Sequence, residues 1–213
     1  MSDFWSDRAQ RYVDSPAHRE GEDLDLIVAW AEGAETALDV GTGGGHVGRR
    51  LREAGLQVVT TDPAPGMKPD VICPAEHLPF ADGSFDVVAC RVAAHHFDDV
   101  SAAMAEMARV ARESVLVADN LFLSDAAEEA DRLRDPTHRR NLTEAEWHSE
   151  FERAGLRVAE ARIFDKPLDF DAWLERSGCE GEEAARVREL LADRIEAGGL
   201  VHLDRIALKG VPA

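Results

Sequence analysis

Thr36-Ala37-Leu38-Asp39-Val40-Gly41-Thr42-Gly43-Gly44-Gly45-His46-Val47-Gly48 is the stretch on which the reading of the whole chain turns. A short apolar run ends in a glycine-rich turn and passes into a helix-compatible segment from Val47 to Ala54, closed by Gly55 as a C-cap. The pattern is strand, tight loop, helix N-terminus. Gly41, Gly43 and Gly45 carry no Cβ, so the loop turns sharply and lets a ligand lie against bare backbone amides. A small, nucleotide-like ligand is expected there.

A glycine loop alone does not say which nucleotide, and a strict G-x-G-x-x-G also exists as Gly43, Gly45 and Gly48. In the register that starts directly after the strand, the third dinucleotide-fold glycine falls on His46. Asp39, just before the first glycine, would repel a pyrophosphate but suits a ligand with positive charge, such as a sulfonium with an amino-acid ammonium. Asp62 ends the next apolar run, Gln57 to Thr61, at about the 20-residue spacing where an acidic side chain holds ribose hydroxyls.

With these residues the chain resembles a class I S-adenosylmethionine-dependent methyltransferase, closest to the small-molecule type 11 group that includes the ubiquinone/menaquinone C-methyltransferases. The resemblance rests on Leu38-Asp39-Val40-Gly41-Thr42-Gly43-Gly44-Gly45, on Ala75-Glu76-His77-Leu78-Pro79-Phe80-Ala81-Asp82-Gly83-Ser84-Phe85-Asp86 and on Ala94-His95-His96-Phe97. It implies S-adenosylmethionine held by Asp39, Gly41, Thr42, Gly43, Gly45, Asp62, Pro63, Ala75, Glu76 and Arg91. Two departures follow Asp62. Pro63 to Pro69, with three prolines, is too short for the crossover helix usual in the family, which leaves the adenine side open or covered by Met67, itself a candidate for ordinary core. Pro74 stands where the family commonly has an adenine-reading aspartate, so Glu76 or the backbone of Ala75 must read the base.

Composition narrows the partners. The 213 residues include 42 acidic against 24 basic ones, a formal net charge of -18, which disfavours the phosphate-neutralising surface of a nucleic-acid enzyme. The three cysteines, Cys73, Cys90 and Cys179, are far apart and suggest neither a disulfide framework nor a zinc site. The N-terminus lacks a basic-then-apolar leader and no apolar run is long enough to span a membrane. A cytoplasmic monomer or homodimer with a small-molecule acceptor is the expectation.

A single domain over 1–213 is expected, with an N-terminal helical segment at 1–35, a cofactor-binding core at 36–121 and substrate-side helices and last strands at 122–213. Leu24, Ile27, Val28 and Ala31 form one buried helical stripe, and Tyr12, Ser15, His18 and Gly21 cluster ahead of it. In related methyltransferases such a segment folds over the ligand as a lid; a plain surface arm is the alternative. Phe85 to Val92 reads as a buried strand with a structural Asp86 at its start, and it empties into Ala93-Ala94-His95-His96-Phe97. Helices are expected at 100–112, at 124–141 with a break at Pro136, and at 143–154 and 169–197, and strands at 114–121, 156–167 and 200–209.

Alternating strands and helices imply an α/β, doubly wound, mainly parallel sheet of seven strands, Rossmann-like, with helical additions at both ends. The resemblance implies that the last strand is antiparallel. His96, or His95, is the candidate general base, because the loop after the fourth strand faces the substrate and imidazole titrates near neutrality. Arg139 and Arg140, with Arg132 or Arg134, are candidates for an anionic acceptor, and Tyr12, His18 and Asn120 for acceptor contacts. Asp119-Asn120 resembles the magnesium pair of catechol-type O-methyltransferases, but Arg91 and two histidines stand where a third oxygen donor belongs, so no metal is expected. A dinucleotide-binding oxidoreductase and a noncatalytic S-adenosylmethionine-binding protein are the alternatives.

Overall fold

The computed structural model describes residues 2–213; Met1 of the expected N-terminal segment lies outside them. Three helices, α1 (Ser2–Asp14), α2 (Pro16–Arg19) and α3 (Glu22–Trp30), precede β1 (Thr36–Val40). The chain continues through α4 (His46–Glu53), β2 (Gln57–Asp62), β3 (Val71–Ile72), β4 (Phe85–Arg91), α5 (Val100–Val110) and β5 (Ala111–Asn120). It closes with α6 (Asp125–Arg134), α7 (Glu144–Arg153), β6 (Leu156–Asp169), α8 (Phe170–Ser177), α9 (Gly181–Leu190) and β7 (Leu200–Pro212). Among the described residues no helix is long and apolar enough to cross a membrane.

The seven strands form one sheet in the order β3-β2-β1-β4-β5-β7-β6. β1, β2, β3, β4 and β5 run parallel, and β7 lies antiparallel between β5 and β6. This is the α/β, doubly wound, Rossmann-like sheet expected from the sequence, antiparallel last strand included. The central strands are covered on both faces, which is why they read as apolar runs rather than alternating ones. Period-two alternation still sorts them: Leu38, Val88, Val115 and Val117 join α5 and α7 in one core layer, while Ala37, Val87, Leu116 and Ala118 join α3 and α4 in the other. A third cluster under α6, α8 and α9 holds Phe170, Trp173, Leu174 and Val187.

Local chemistry explains the boundaries. Thr143 and Glu146 make both bonds of a capping box, Glu146 N to Thr143 Oγ1 at 3.2 Å and Thr143 N to Glu146 Oε2 at 2.9 Å, and so open α7. Four residues apart on that helix, Trp147 and Phe151 are buried against the sheet, each worth on the order of 1.5–3 kcal/mol. Asp86 is structural, as read from the sequence: it accepts from Glu35 N, Thr36 N and Thr36 Oγ1 and pairs with Arg112, tying the start of β4 to that of β1.

Two expectations differ. The single helix expected at 169–197 is two helices and a 3-10 turn, because Gly178 takes a left-handed conformation, φ 76°, that caps α8. The helix expected to run to residue 112 ends at Val110, and β5 begins immediately at Ala111. The break expected at Pro136 within 124–141 is present: α6 ends at Arg134, two residues before the proline. Between β2 and β3 only a 3-10 turn, Pro65–Met67, replaces a crossover helix. The strand order reverses beside β1, so the loops after β1 and β4 border the crevice where ligands bind in open α/β sheets.

Candidate functional site

The loop after β1 is shaped by backbone that glycine adopts at little cost: φ is 66° at Gly41, 49° at Gly43 and 73° at Gly45. A Cβ on Gly41 would stand 2.8 Å from Cβ of Ala93, so the loops after β1 and β4 touch. Asp39 pins this turn from below. Its Oδ2 accepts from Thr42 Oγ1 at 2.6 Å and from Gly48 N at 2.9 Å, and burial raises its pKa to about 6. Asp39 and Thr42 thus bind each other, and neither lines the cavity above, nor does Gly45. The sequence expectation that Asp39 faces a cationic ligand is corrected by this geometry, since its 1% exposure leaves it inside the protein.

Asp62, at the end of β2, does face that cavity, a space of about 200 Å³. Its Oδ2 accepts from Gly43 N at 3.0 Å and its Oδ1 from Ala64 N at 2.9 Å, so the backbone holds the carboxylate at the foot of the glycine loop. Gly41, Gly43, Pro63, Ala75 and Glu76 line the same cavity. Glu76 Oε1 accepts from Asp98 N at 2.9 Å and Asp99 N at 3.2 Å, which fastens the strand-four loop to the opposite wall.

The short 63–69 connection leaves one side without a helix of its own, and α1 lies there instead. Gly66 N donates to Ser6 Oγ at 3.0 Å, and His46 Nε2 donates to the carbonyl of Tyr12 at 3.0 Å. His46, in the place of a dinucleotide-fold glycine, is therefore an anchor for the N-terminal helix. Trp5 and the half-buried Met67 line the cavity, so Met67 is wall and not core. Trp5 lay outside the sequence reading, because its partners are far along the chain and an aromatic in an amphipathic helix carries no address.

A smaller cavity, about 40 Å³, adjoins the first; Tyr12, Val92 and His96 line both. Val92 has φ 54°, rare for a β-branched residue, and strain of this kind costs on the order of 1–3 kcal/mol. It sits where the two cavities meet. His95 is buried, its Nδ1 2.5 Å from Asp119 Oδ1. Burial works against charge on His95, but Asp119 outweighs it and the pKa lies above the usual imidazole value. His96 is held differently: Thr137 Oγ1 gives its proton to Asp135 at 2.6 Å, so it must accept from His96 Nδ1 at 3.1 Å. That leaves His96 Nε2 with a lone pair. Burial, and then the neighbouring His95, keep its pKa well below the usual value.

Tyr12, His18 and Asn120 line the smaller cavity, together with Arg134, Arg176 and Arg205. Arg139 and Arg140 do not: their amides donate to the carbonyl of His95, at 2.9 and 3.2 Å, while their side chains turn outward to Asp98 and Glu146. Arg91, expected at the cofactor, is also displaced. The end of β4 abuts α3, so Arg91 Nε meets the buried Asp23 at 2.6 Å and its Nη1 donates to the carbonyl of His18 at 2.7 Å. Sequence reasoning missed Arg176 and Arg205, which sit among many charged neighbours in a helix and a strand that only the fold brings to the site.

Asp119 gives both carboxylate oxygens to His95 and Asn120 N, so the Asp119-Asn120 pair is engaged in holding imidazole and backbone. Ligand-type atoms of Glu128, Asp131 and His138 lie within 4.8 Å of one another. Arg132, 3.5 Å from Glu128, and Arg134, 3.8 Å from Asp131, already supply positive charge there.

Residues 38–118 match the family described as a methyltransferase domain. An uncharacterized methyltransferase of Bacillus subtilis, YcgJ, is 30% identical over 207 residues, covering 86% of this chain and 82% of the relative. The crystal structure of that Bacillus subtilis protein, 26% identical in the structural alignment, agrees with a TM-score of 0.81 over 89% of this chain and 97% of its own. A putative methyltransferase from Bacillus halodurans, also 26% identical, gives 0.80 over 91% of this chain and 100% of its own. The fold is shared more distantly, at 16% identity and TM-score 0.63 over 97% of this chain and 94% of the other, with a Synechocystis magnesium protoporphyrin IX methyltransferase solved with bound S-adenosylhomocysteine. The chain belongs to the methyltransferase family and is a methyltransferase by that kinship.

Proposed function

We propose that the cavity above the glycine loop binds S-adenosylmethionine and that its methyl group passes to a small-molecule acceptor in the adjoining cavity. The observation that carries this is Asp62, braced by Gly43 N and Ala64 N at the rim of a cavity of ribose-and-base dimensions. A carboxylate so fixed suits two vicinal hydroxyls. Gly41 and Gly43 leave backbone open beside it, and Trp5, Met67 and Phe97 supply apolar walls for an adenine. The distant relative's bound S-adenosylhomocysteine supports the same assignment.

When bound, S-adenosylmethionine supplies an electrophilic methyl and leaves as the neutral thioether. The chain's own residues then position and deprotonate. His96 stands where the two cavities meet, its Nδ1 proton committed to Thr137, so Nε2 accepts the acceptor's proton as the new bond to carbon forms. Asp135 and Thr137 fix the tautomer; Asp119 fixes His95 behind it. The α1 helix, across the cavity mouth, acts as a lid that excludes water, and the acidic surface disfavours nucleic acid as acceptor.

Calorimetry with S-adenosylhomocysteine and NAD tests this reading. Micromolar S-adenosylhomocysteine and far weaker NAD are expected, and Asp62→Ala should cost about 1.5–3 kcal/mol of the former. NAD binding as tight or tighter would overturn it.

A further inference from the structure

Arg176 is a guanidinium without a carboxylate. It projects from α8 into the wall shared by the smaller cavity and a broad outer cleft of about 770 Å³ lined from α1, β6 and α8. Its hydrogen-bond partner is Nδ1 of His18 at 3.2 Å, and since a guanidinium only donates, the imidazole accepts. Among the described residues no Asp or Glu oxygen lies within ion-pair distance of it. Burial, and then Arg134 alongside, pull its pKa down to about 10.

The neighbours deepen the deficit. Arg205 and Arg91 share the one carboxylate of Asp23, at 2.9 and 2.6 Å. Arg134 lies over the Trp173 ring at 4.4 Å, and its nearest carboxylate oxygens, on Asp131 and Asp135, are 3.8 and 4.0 Å away. The Nε atoms of Arg134 and Arg205 are buried and have no hydrogen-bond partner. In a chain of net charge -18, three guanidiniums converge on one small space with too few anions to match them. Buried donors of this kind are ordinarily satisfied, and each one left over points to a missing partner.

We infer that the smaller cavity seats a carboxylate carried by the methyl acceptor, gripped by Arg176 with Arg134 and Arg205 behind it. The inference rests on the methyl-transfer reading above and names the substrate class for that site. A carboxylate matches the planar fork of arginine with two parallel bonds. The cavity, about 40 Å³, suits a group of few atoms. Asp135, whose Oδ2 is buried without a hydrogen-bond partner, adds negative charge to the wall and disfavours a dianion such as phosphate. With its carboxylate at Arg176, the acceptor extends toward His96, so the reacting atom and the recognised anion lie at opposite ends. Arg139 and Arg140, the arginines that sequence position suggested, lie outside this cavity.

The test starts from the complex with S-adenosylhomocysteine, whose formation is measured first and separately by calorimetry. Propionate, its neutral isostere propionamide and inorganic phosphate are then titrated in turn, followed by the imidazole resonances of His95 and His96. Propionate should bind at least about tenfold more tightly than propionamide. Arg176→Gln should abolish that preference and Arg176→Lys should keep part of it, with S-adenosylhomocysteine affinity unchanged in both. Equal affinity for propionate and propionamide, binding of neither, tighter binding of phosphate, or a preference that survives Arg176→Gln overturns the inference. If S-adenosylhomocysteine fails to bind, the methyl-transfer reading falls on that result alone, and the same propionate series on the ligand-free protein still decides whether Arg176 holds a carboxylate.

Discussion

Nδ1 of His95 lies 2.5 Å from Oδ1 of Asp119, both side chains buried, and this contact sets the charge that the neighbouring His96 feels. The two rings are 4.0 Å apart between centroids. Asp119 favours a proton on His95; a charged His95 disfavours one on His96.

The pH behaviour of His96 follows with its sign. Its folded-state pKa is lowered, first by burial and then by His95, so at neutral pH it carries no charge and Nε2 is a ready proton acceptor. Activity that depends on it should be flat through neutrality and fall only on the acid side, below the ordinary imidazole value of about 6.5. His95→Gln removes the neighbouring charge, so the His96 titration should move upward, and the acid limb with it. Imidazole NMR titrations of the two proteins check this; an unmoved His96 would mean that burial alone sets its pKa.

Gly210 on β7 is packed against the fully buried Phe151, and a Cβ there would enter the aromatic ring. The ring, on α7, is fully buried against the sheet, so it has to shift to admit a methyl group. Gly210→Ala should therefore destabilise by about 1–3 kcal/mol, as overpacking does, and lower the melting temperature by several degrees. A thermal melt at or above that of the wild type would show that α7 yields.

The sheet was legible because parallel strands buried on both faces leave apolar runs, and glycines, prolines and caps mark their ends. The Thr143–Glu146 box and the Asp62 carboxylate were legible for the same reason: each is a local pattern. Arg176, Arg205 and Trp5 were not, since their meaning depends on which distant element they face. Asp39 was read in the right place with the wrong partner. A carboxylate beside a glycine loop can serve the ligand or the loop, and only the bonds from Thr42 and Gly48 decide. Arg91 misled likewise, because Asp23, far upstream, claims it.

Acid should act on the fold through Asp86. Hydrogen bonds from Arg112 foremost, with those from Glu35 and Thr36, hold its carboxyl well below the usual range. A depressed folded-state pKa contributes stability that is present above the unfolded value of about 3.9 and is lost as pH falls through it toward the folded value. Arg112 is more than half exposed, so solvent screens much of its share. Asp86→Asn should cost about 1.5–3 kcal/mol near neutrality, from weakened charge-assisted bonds, and should flatten the acid limb of stability. Urea denaturation at neutral pH and at about pH 3 measures both; a parallel loss at the two pH values would place the acid sensitivity elsewhere.

Trp5 gives the sharpest test of whether α1 closes over a ligand or merely rests on the surface. Its ring lines the cavity above the glycine loop and stands edge-on to His96, 4.7 Å between centroids, and to Tyr12 at 5.3 Å. The helix itself is held by other contacts, Gly66 N to Ser6 Oγ and His46 to the carbonyl of Tyr12, so truncating Trp5 leaves it docked. What Trp5→Ala removes is one apolar wall and its edge contacts. Half-burial of such a side chain and one aromatic pair are worth about 1–2 kcal/mol. S-adenosylhomocysteine affinity should fall by about 5- to 30-fold, through faster dissociation, while the melting temperature of the ligand-free protein changes little. Stopped-flow dissociation rates separate the readings: a surface arm leaves them unchanged, and a lid speeds them by that factor.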